Sequence, residues 1–240
     1  MKAYVSEIYS AIQGEGEYLG LRQIFVRFCG CNINCSYCDT VREADYGRIE
    51  KKAGSRKFVK FKNPITKDKL FNIIKQINKD KHHSVSITGG EPLLHADFLK
   101  TFLPYLKKEK LKIYLETNGI LRKELKKIIK LVDIIAMDIK LPSVTGEKSF
   151  WEEHKKFLDI ALKNKKEIFV KIVVGKNISS ADLKKTSALC AGRKVVIILQ
   201  PVSEKNAPSL KKLVLWQKEL LKKHEAVKII PQVHKLMGEI

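Results

Sequence analysis

From residue 65 onwards, short apolar runs alternate with longer segments in which apolar residues recur every three or four positions. The short runs have the length of buried strands, and the longer segments have the period of amphipathic helices. Thr66, for example, directly precedes a segment whose apolar positions include Leu70 and Ile74, which is typical of a helix with a threonine cap. The predicted helices span residues 67–78, 96–108, 122–130, 150–162, 181–190 and 209–223. The predicted strands span residues 24–28, 85–88, 112–115, 134–139, 168–174, 195–199 and 227–230.

This alternation predicts an α/β fold, because strands separated by helices of about 10–15 residues form parallel βαβ units. The chain has 240 residues, slightly fewer than the about 250 residues that are typical of a closed eightfold barrel. We therefore expect a single domain over residues 1–240 that forms a partial, open βα barrel of about six parallel strands. An insert over about residues 41–64 follows the first predicted strand and the loop after it. Within the insert, Ala53-Gly54-Ser55 separates the strand-like stretches 48–50 and 58–61, which predicts a hairpin.

Three cysteines follow the first predicted strand, with three residues between Cys31 and Cys35 and two between Cys35 and Cys38. Thiolates are ligands for zinc, copper and iron–sulfur clusters. A zinc site with a histidine ligand is disfavoured because the next histidine is His82, and crowded cysteines in odd number fit no disulfide framework. A plain electron carrier would surround its cluster with four cysteines. The loop therefore predicts a cluster of four irons that is held by three thiolates and keeps one iron open.

Polar and glycine-rich residues follow five of the predicted strands. In βα barrels the working face lies at the carboxyl ends of the strands. We therefore expect these residues to surround one cleft above the cluster. They are the cysteine loop, Gly89-Gly90-Glu91, Glu116-Thr117-Asn118, Asp138 with Lys140, and Gln200-Pro201.

Two features before the cysteine loop have both a functional and an ordinary interpretation. Gly14 and Gly16 mark residues 10–18 as a loop, in which Gln13 and Glu15 either face a ligand or are simply turn residues. Arg27 lies on the strand that leads into the cysteine loop, where it either binds an anion or forms an exterior ion pair.

The net charge of +21 comes mainly from lysines that are spread along the predicted helices. Lysine on outer helix faces is mostly solvated, so an anionic small substrate explains a local excess more simply than nucleic acid does. No segment approaches the about 20 apolar residues of a membrane span, and residues 1–7 lack an apolar signal core. We expect a cytoplasmic protein with no membrane contact, in which Cys29 and Cys190 are ordinary buried residues.

The cysteine loop and Gly89-Gly90-Glu91-Pro92 together resemble the radical S-adenosylmethionine (radical SAM) enzymes. Within that superfamily, four stretches are similar to the 7-carboxy-7-deazaguanine synthase family, and the similarity spans nearly the whole chain. The stretches are residues 12–16, Arg27, Cys38-Asp39-Thr40 and residues 231–235. The resemblance implies a lyase that converts 6-carboxy-5,6,7,8-tetrahydropterin to 7-carboxy-7-deazaguanine with loss of ammonia. This step belongs to 7-deazapurine biosynthesis, which supplies queuosine for tRNA modification.

The resemblance also implies a [4Fe–4S] cluster, S-adenosylmethionine and Mg²⁺ as cofactors, with roles that are carried over by position. The implied cluster ligands, which are also the catalytic residues, are Cys31, Cys35 and Cys38, and the implied magnesium ligand is Thr40. The implied contacts to S-adenosylmethionine are Tyr37, Asp39, Gly90, Asp138, Lys140 and Gln200. The implied substrate contacts are Ile12, Gln13, Gly14, Glu15, Arg27, Thr88, Gln232 and His234.

The implied partners are a pterin, a reductant protein such as flavodoxin or ferredoxin, and a second copy of the chain in a homodimer, with no direct contact to nucleic acid. Two other functions stay open. An activase of a glycyl-radical enzyme uses the same cysteine spacing, but it does not account for residues 13–16 or Thr40. An RNA-modifying radical SAM protein would suit the charge of +21, but no basic patch interleaved with aromatic residues is evident.

Overall fold

The computed structural model describes residues 1–38, 40–202 and 206–236, and these residues form twelve strands and eight α-helices. The strands are β1 (Lys2–Ala3), β2 (Val5–Ile12), β3 (Arg22–Phe28), β4 (Tyr46–Glu50), β5 (Phe58–Lys62), β6 (Ile65–Thr66), β7 (Ser84–Gly89), β8 (Ile113–Thr117), β9 (Ile134–Ile139), β10 (Glu167–Val174), β11 (Val196–Pro201) and β12 (Val227–Ile229). The helices are α1 (Lys67–Ile77), α2 (Ala96–Lys108), α3 (Arg122–Ile128), α4 (Pro142–Thr145), α5 (Trp151–Lys163), α6 (Ser180–Cys190), α7 (Leu210–Leu221) and α8 (Val233–Leu236). A 3₁₀ turn, Pro92–His95, leads into α2.

Ten of the strands form one sheet in the order β12-β11-β10-β9-β8-β7-β3-β2-β4-β5. The seven strands from β12 to β3 are parallel to one another. Strand β2 is antiparallel to β3, and the hairpin β4–β5 continues the sheet beyond β2. Within the described residues the end strands β12 and β5 do not pair, so the barrel is open as predicted. Its parallel part has seven strands, one more than the number expected.

Strand parity decides which side chains reach the concave face of the sheet. In β10, Val170 and Ile172 belong to the main core between sheet and helices, whereas Phe169 and Lys171 line the concave face. The two sets alternate because successive side chains of a strand point to opposite faces. A residue that is two positions from an inward-facing residue therefore also faces inward.

The predicted helices and strands are all present, with ends shifted by a few residues, and the predicted hairpin is β4–β5. Thr66 caps α1 through a hydrogen bond from Lys69 N–H to its hydroxyl at 3.3 Å. The prediction of a loop over residues 10–18 is wrong at its start, because β2 continues to Ile12. Ile12 lies opposite Arg22, the first residue of β3. The loop over residues 13–16 therefore starts at the end of the sheet opposite to the cysteine loop.

None of the helices in the described part of the chain has the length and apolar character needed to cross a membrane.

Candidate functional site

The concave face of the sheet lines a cavity of about 720 Å³, a volume typical of small-molecule sites. The cysteine loop contributes at the carboxyl ends of the parallel strands, and residues from 13–16 and 232–235 contribute at the other side. All five predicted strand ends supply lining residues, as expected for one cleft. Every sequence-predicted site residue lines the cavity except Asp39, which lies outside the described residues.

The cysteine loop is held by contacts on two sides. From the insert, Arg42 donates hydrogen bonds to Ile33 O at 2.9 Å and to Asn34 Oδ1 at 2.8 Å. From the opposite side, the Ser36 N–H donates to Thr145 O at 2.9 Å. The insert and α4 therefore fix the backbone on which the three cysteines lie.

Burial favours the protonated form of two thiols of the loop, those of Cys31 and Cys35. Cys35 is 8% exposed and packs with Phe150, and burial raises its pKa to about 11. Burial also raises the pKa of Cys31. Because the thiolate is the form that binds metal, a metal must displace a proton from these residues. The thiol of Cys38 donates to Thr40 Oγ1 at 2.9 Å, so a hydroxyl lies directly beside a predicted cluster ligand.

The donor set fits a cluster held by three thiolates. All five cysteines lie in the described ranges, and Cys29 and Cys190 are 2% and 0% exposed and do not line the cavity. Their interpretation as buried residues is confirmed. The three cysteines of the loop therefore have no fourth thiolate beside them among the described cavity residues, which is the arrangement that leaves one iron of a cubane cluster open.

The glycine turn after β7 packs directly on the strand that carries the cysteine loop. Gly89 has a φ of +115°, and a Cβ there would lie 2.3 Å from Phe28 N. A Cβ on Gly90 would lie 1.9 Å from Gly30 O. The two backbones are joined by hydrogen bonds from Gly90 N–H to Phe28 O and from Glu91 N–H to Gly30 O. Glycine is therefore required here by the contact between the two strand ends.

Glu91 is fully buried and joins the end of β7 to the end of β8. Its carboxyl group accepts hydrogen bonds from Thr117 Oγ1 at 2.9 Å and from Asn118 N–H at 2.8 Å. Burial raises the pKa of Glu91 to about 7, although these donors favour the ionised form. Glu91 therefore holds the ends of β7 and β8 together and does not itself line the cavity.

Four charged side chains of alternating sign form a row along the cavity. Lys171 Nζ lies 2.5 Å from Glu15 Oε2 and 3.8 Å from Asp138 Oδ2, and Lys140 Nζ lies 2.8 Å from the same Asp138 oxygen. Burial opposes the charge on Glu15, but Lys171 outweighs it and the pKa of Glu15 is lowered to about 2. Burial likewise opposes the charge on Lys140, but Asp138 holds its pKa above the usual range. At the end of the row, Lys140 Nζ lies 3.5 Å from Tyr37 Oη.

Two buried oxygen atoms of the cavity residues have no hydrogen-bond partner in the described part of the chain. They are Asp138 Oδ1 and Gln200 Oε1. Buried polar atoms are normally hydrogen-bonded, so an unpaired acceptor beside a cavity fits a ligand that supplies donors. Hydroxyl and ammonium groups are such donors, and S-adenosylmethionine carries both.

The loop over residues 13–16 is tied to the inward face of the sheet. Gln13 Nε2 donates to Glu116 Oε1 at 2.9 Å and to Gln23 Oε1 at 3.1 Å. Glu116 also accepts a hydrogen bond from Thr88 Oγ1 at 2.9 Å. Glu116 therefore orients two of the predicted substrate contacts, Gln13 and Thr88.

The C-terminal segment lies against the same loop. Gln232 Nε2 donates to Glu15 Oε1 at 2.8 Å, and the Val233 N–H donates to Gly14 O at 3.0 Å. His234 packs closely on Gly14: a Cβ added to Gly14 would lie 2.4 Å from the Cβ of His234. Glycine at position 14 thus makes room for the histidine ring at the cavity wall.

Arg27 lines the cavity and also lies 3.6 Å from Glu7. The ion pair is not an exterior one, because Glu7 is buried, and anion binding by Arg27 stays a prediction. Glu7 additionally pairs with Arg48 of β4, so the insert takes part in this ion pair. Arg27 shares its face of β3 with Phe25, on which Tyr9 stacks at 5.2 Å between ring centroids. Burial raises the pKa of Tyr9 to about 12, and the nearby Arg27 limits this rise.

Polar cavity residues on strands that sequence reasoning missed include Tyr9, Tyr114 and Lys171. For Lys171 the available signal was its position, two residues after Phe169 and two before Val173, on a strand that is otherwise apolar. A charged residue with inward parity in a buried strand indicates a charged partner inside the barrel.

The chain is similar in sequence to proteins of known family. The profile of the radical SAM superfamily matches residues 25–190. The 7-carboxy-7-deazaguanine synthase of Geobacter sulfurreducens is 43% identical over 99% of this chain and 98% of its own length. The 7-carboxy-7-deazaguanine synthase of Archaeoglobus fulgidus is 33% identical over 99% of both chains.

Solved structures support the fold. The crystal structure of QueE from Escherichia coli superposes with a TM-score of 0.64 over 98% of this chain and 95% of that chain, at 21% identity. The crystal structure of Streptococcus suis SuiB bound to S-adenosylmethionine gives a TM-score of 0.58 over 83% of this chain and 45% of that chain, at 16% identity. The open, mostly parallel sheet is therefore the radical SAM fold.

Proposed function

Since this chain belongs to the 7-carboxy-7-deazaguanine synthase family of the radical SAM superfamily, we propose that it converts 6-carboxy-5,6,7,8-tetrahydropterin to 7-carboxy-7-deazaguanine with loss of ammonia. The observation that carries the proposal is that one cavity holds the three cysteines together with Glu15 and Arg27. The cysteines suit radical chemistry, and the other two suit a ligand that has both a carboxylate and an N–H edge.

As a radical SAM enzyme, the protein uses a [4Fe–4S] cluster and S-adenosylmethionine. When bound, this pair supplies an electron and a carbon radical that abstracts hydrogen from the substrate. We assign Cys31, Cys35 and Cys38 as the cluster ligands, on the basis of their shared loop and the absence of another cysteine among the described cavity residues.

The strand ends near the cysteine loop would hold S-adenosylmethionine. Gly90, Tyr37 and Lys140 line this part of the cavity. Asp138 and Gln200 contribute the two unpaired buried oxygens, which would accept hydrogen bonds from the ligand. Asp39, in the same predicted set, lies outside the described residues.

The other half of the cavity would hold the pterin. Arg27 would bind the carboxylate, because a guanidinium matches a carboxylate with two parallel donors. Glu15, which Lys171 keeps ionised, would accept hydrogen bonds from the N–H groups of the amino-pyrimidine edge. The remaining assigned contacts are Ile12, Gln13, Gly14, Thr88, Gln232 and His234.

Thr40 would place its hydroxyl on Mg²⁺, which prefers oxygen ligands and keeps several waters. Its hydroxyl lies beside Cys38 and Thr40 lines the cavity, which supports this role. The proposal extends to a cytoplasmic homodimer of one partial-barrel domain over residues 1–240, reduced by a flavodoxin or ferredoxin and without direct nucleic-acid contact. Its product would enter 7-deazapurine biosynthesis.

The decisive experiment is anaerobic reconstitution with iron and sulfide, followed by incubation with S-adenosylmethionine, dithionite, Mg²⁺ and 6-carboxytetrahydropterin. We expect mass spectrometry to detect the deazaguanine product with substoichiometric S-adenosylmethionine. Cys35→Ala should abolish both cluster absorbance and product, whereas Cys190→Ala, a buried cysteine away from the cavity, should retain both. Thr40→Val should retain the cluster and lose the response of the rate to Mg²⁺.

Two results would contradict the proposal at different points. If 5′-deoxyadenosine forms while the pterin remains intact, the radical chemistry stands and the substrate assignment is wrong. If Cys35→Ala retains a complete cluster, the ligand assignment is wrong.

A further inference from the structure

Lys171 connects the two halves of the cavity. It lies in the middle of β10, and its side chain is 14% exposed. Its ammonium group contacts Glu15 on one side at 2.5 Å and Asp138 on the other at 3.8 Å. These carboxylates come from opposite sides of the site, since Glu15 follows β2 and Asp138 belongs to the end of β9.

We propose that Lys171 is a positioning residue that orients Glu15 towards the pterin and Asp138 towards S-adenosylmethionine, and thereby couples the binding of the two ligands. The inference rests on the proposed function, which assigns Glu15 and Asp138 to those ligands. The inference goes further because Lys171 is not assigned as a contact of either ligand. It acts on both ligands through the carboxylates of Glu15 and Asp138.

The arrangement of oxygen atoms supports this role. Lys171 and Gln232 each take one oxygen of Glu15, so the carboxylate is held in one orientation and each oxygen keeps a further lone pair. Lys171 and Lys140 both approach Oδ2 of Asp138 and leave Oδ1 without a partner in the described part of the chain. One ammonium group therefore orients an acceptor at each end.

The charges explain why a lysine is needed at this position. The side chains of Glu15 and Asp138 are only 19% and 14% exposed and have the same sign, so without a cation between them each would be destabilised by partial desolvation and by the other. Tyr114 and Glu116 also face this region and supply no positive charge, while His234 approaches Glu15 from the C-terminal segment. Lys171 is the side chain that contacts both carboxylates.

Two other lysines provide controls. Lys140 contacts Asp138 but not Glu15 in the contacts of the described residues, so it belongs to one end only. Lys228 pairs with Glu17 at the surface, where its side chain is 49% exposed. Methionine has nearly the length of lysine without its charge, so Lys171→Met, Lys140→Met and Lys228→Met form a matched set.

The first test measures equilibrium binding to the reconstituted enzyme, using calorimetry for S-adenosylmethionine and fluorescence for 6-carboxypterin, a stable analogue of the substrate. We expect Lys171→Met to raise both dissociation constants by about tenfold, a common size for coupling between sites. Lys140→Met should raise only that of S-adenosylmethionine, and Lys228→Met should change neither. An effect of Lys171→Met on one ligand alone, or on none, would overturn the proposal.

A double-variant cycle tests the coupling without the pterin. Glu15→Gln should weaken S-adenosylmethionine binding in the wild-type background and have no further effect in Lys171→Met, because the coupling passes through the missing ammonium group. Equal effects of Glu15→Gln in both backgrounds would overturn the role of Lys171. If 6-carboxypterin fails to bind to wild-type enzyme, the proposed substrate is wrong, and this cycle still decides on Lys171. Lys171→Gln serves in the same cycle if circular dichroism shows that Lys171→Met does not fold.

Discussion

At the scale of single residues, His154 supports a strand end of the site and makes the stability of the protein depend on pH. The ring is fully buried, and its Nε2 accepts a hydrogen bond from the Lys140 N–H at 3.2 Å. Its Nδ1 lies 3.2 Å from Gly119 O, to which it donates in the corresponding tautomer. Burial lowers the pKa of His154 to about 4, against the opposing effect of the Gly119 carbonyl. The neutral ring thus holds the end of β9, which carries Asp138 and Lys140.

We predict that His154 makes the protein less stable as the pH falls. An unfolded histidine titrates near its ordinary pKa of about 6.5, so between pH 6.5 and 4 the unfolded chain binds the additional proton. The free energy of unfolding should therefore decrease by about 3 kcal/mol over this range through His154 alone. Urea unfolding at several pH values measures it in wild type and in His154→Gln, whose amide can make both hydrogen bonds. The same pH dependence in both proteins would show that His154 is not responsible.

At the scale of elements, the loop over residues 13–16 and the segment that contains α8 act as one wall of the cavity. Gly14 O accepts from Val233 N–H, and His234 occupies the space that a side chain at position 14 would need. The wall is thus built from residues that are more than 200 positions apart in the chain. Its geometry depends on close contact between a loop and the short helix α8.

We predict that Gly14→Ala displaces His234 and weakens the binding of 6-carboxypterin by about tenfold, since overpacking costs about 1–3 kcal/mol. S-adenosylmethionine binding should be retained, because its assigned contacts lie near the cysteine loop. Gly175→Ala is the control, since a Cβ there meets nothing closer than 3.7 Å. Fluorescence titration decides the matter. Unchanged affinity in Gly14→Ala would mean that this wall does not contact the pterin.

The regular elements after residue 65 follow from hydrophobic periodicity, but β2 does not. In β2, Glu7 and Ser10 are buried polar residues, so neither alternation nor an apolar run is visible. They are buried because partners satisfy them: Arg27 and Arg48 pair with Glu7, and His82 hydrogen-bonds to Ser10. Such partners lie on other elements, and a pattern along one segment cannot show them.

The residues of the candidate site also fall into those that the sequence indicates and those that it does not. The cysteines, the glycine turn and residues 13–16 stand out because their type or spacing is unusual. Lys171 does not stand out, since forty lysines share its type and its partner Glu15 is 156 residues away. Glu116 is expected at the cleft because it ends a strand, but its role depends on Gln13 and Thr88, which reach it from two other parts of the chain. Residues that act through such contacts become visible only when the strands are assembled.

At the scale of the whole molecule, the formal charge of +21 is not concentrated in the cavity. The cavity carries Arg27, Lys140, Lys171 and Lys235, and Glu15, Asp138 and Glu116 offset all but one of these charges. Most of the excess positive charge therefore lies elsewhere on the protein. There it acts on anionic ligands at long range and contributes little to the contacts inside the site.

We predict that association of 6-carboxypterin slows several-fold as ionic strength rises from about 0.01 to about 0.15 M, where the Debye length falls from about 30 to about 8 Å. Pterin without the carboxylate should show almost no such change, because it carries no net charge to be attracted. Stopped-flow fluorescence measures both association rates. Equal salt dependence for the two ligands would exclude electrostatic steering by the protein surface.

The contacts that close the cavity also bear on folding kinetics. Gln13 reaches Glu116 across 103 residues, Glu15 reaches Lys171 across 156, and Gln232 reaches Glu15 across 217. Contacts between such distant residues carry a large loop-closure cost, so we expect them to form late in folding, after the strands have been assembled. Interactions that are absent from the transition state slow unfolding and leave the folding rate nearly unchanged. We therefore expect the polar lining of the cavity to lengthen the lifetime of the native state without accelerating its formation.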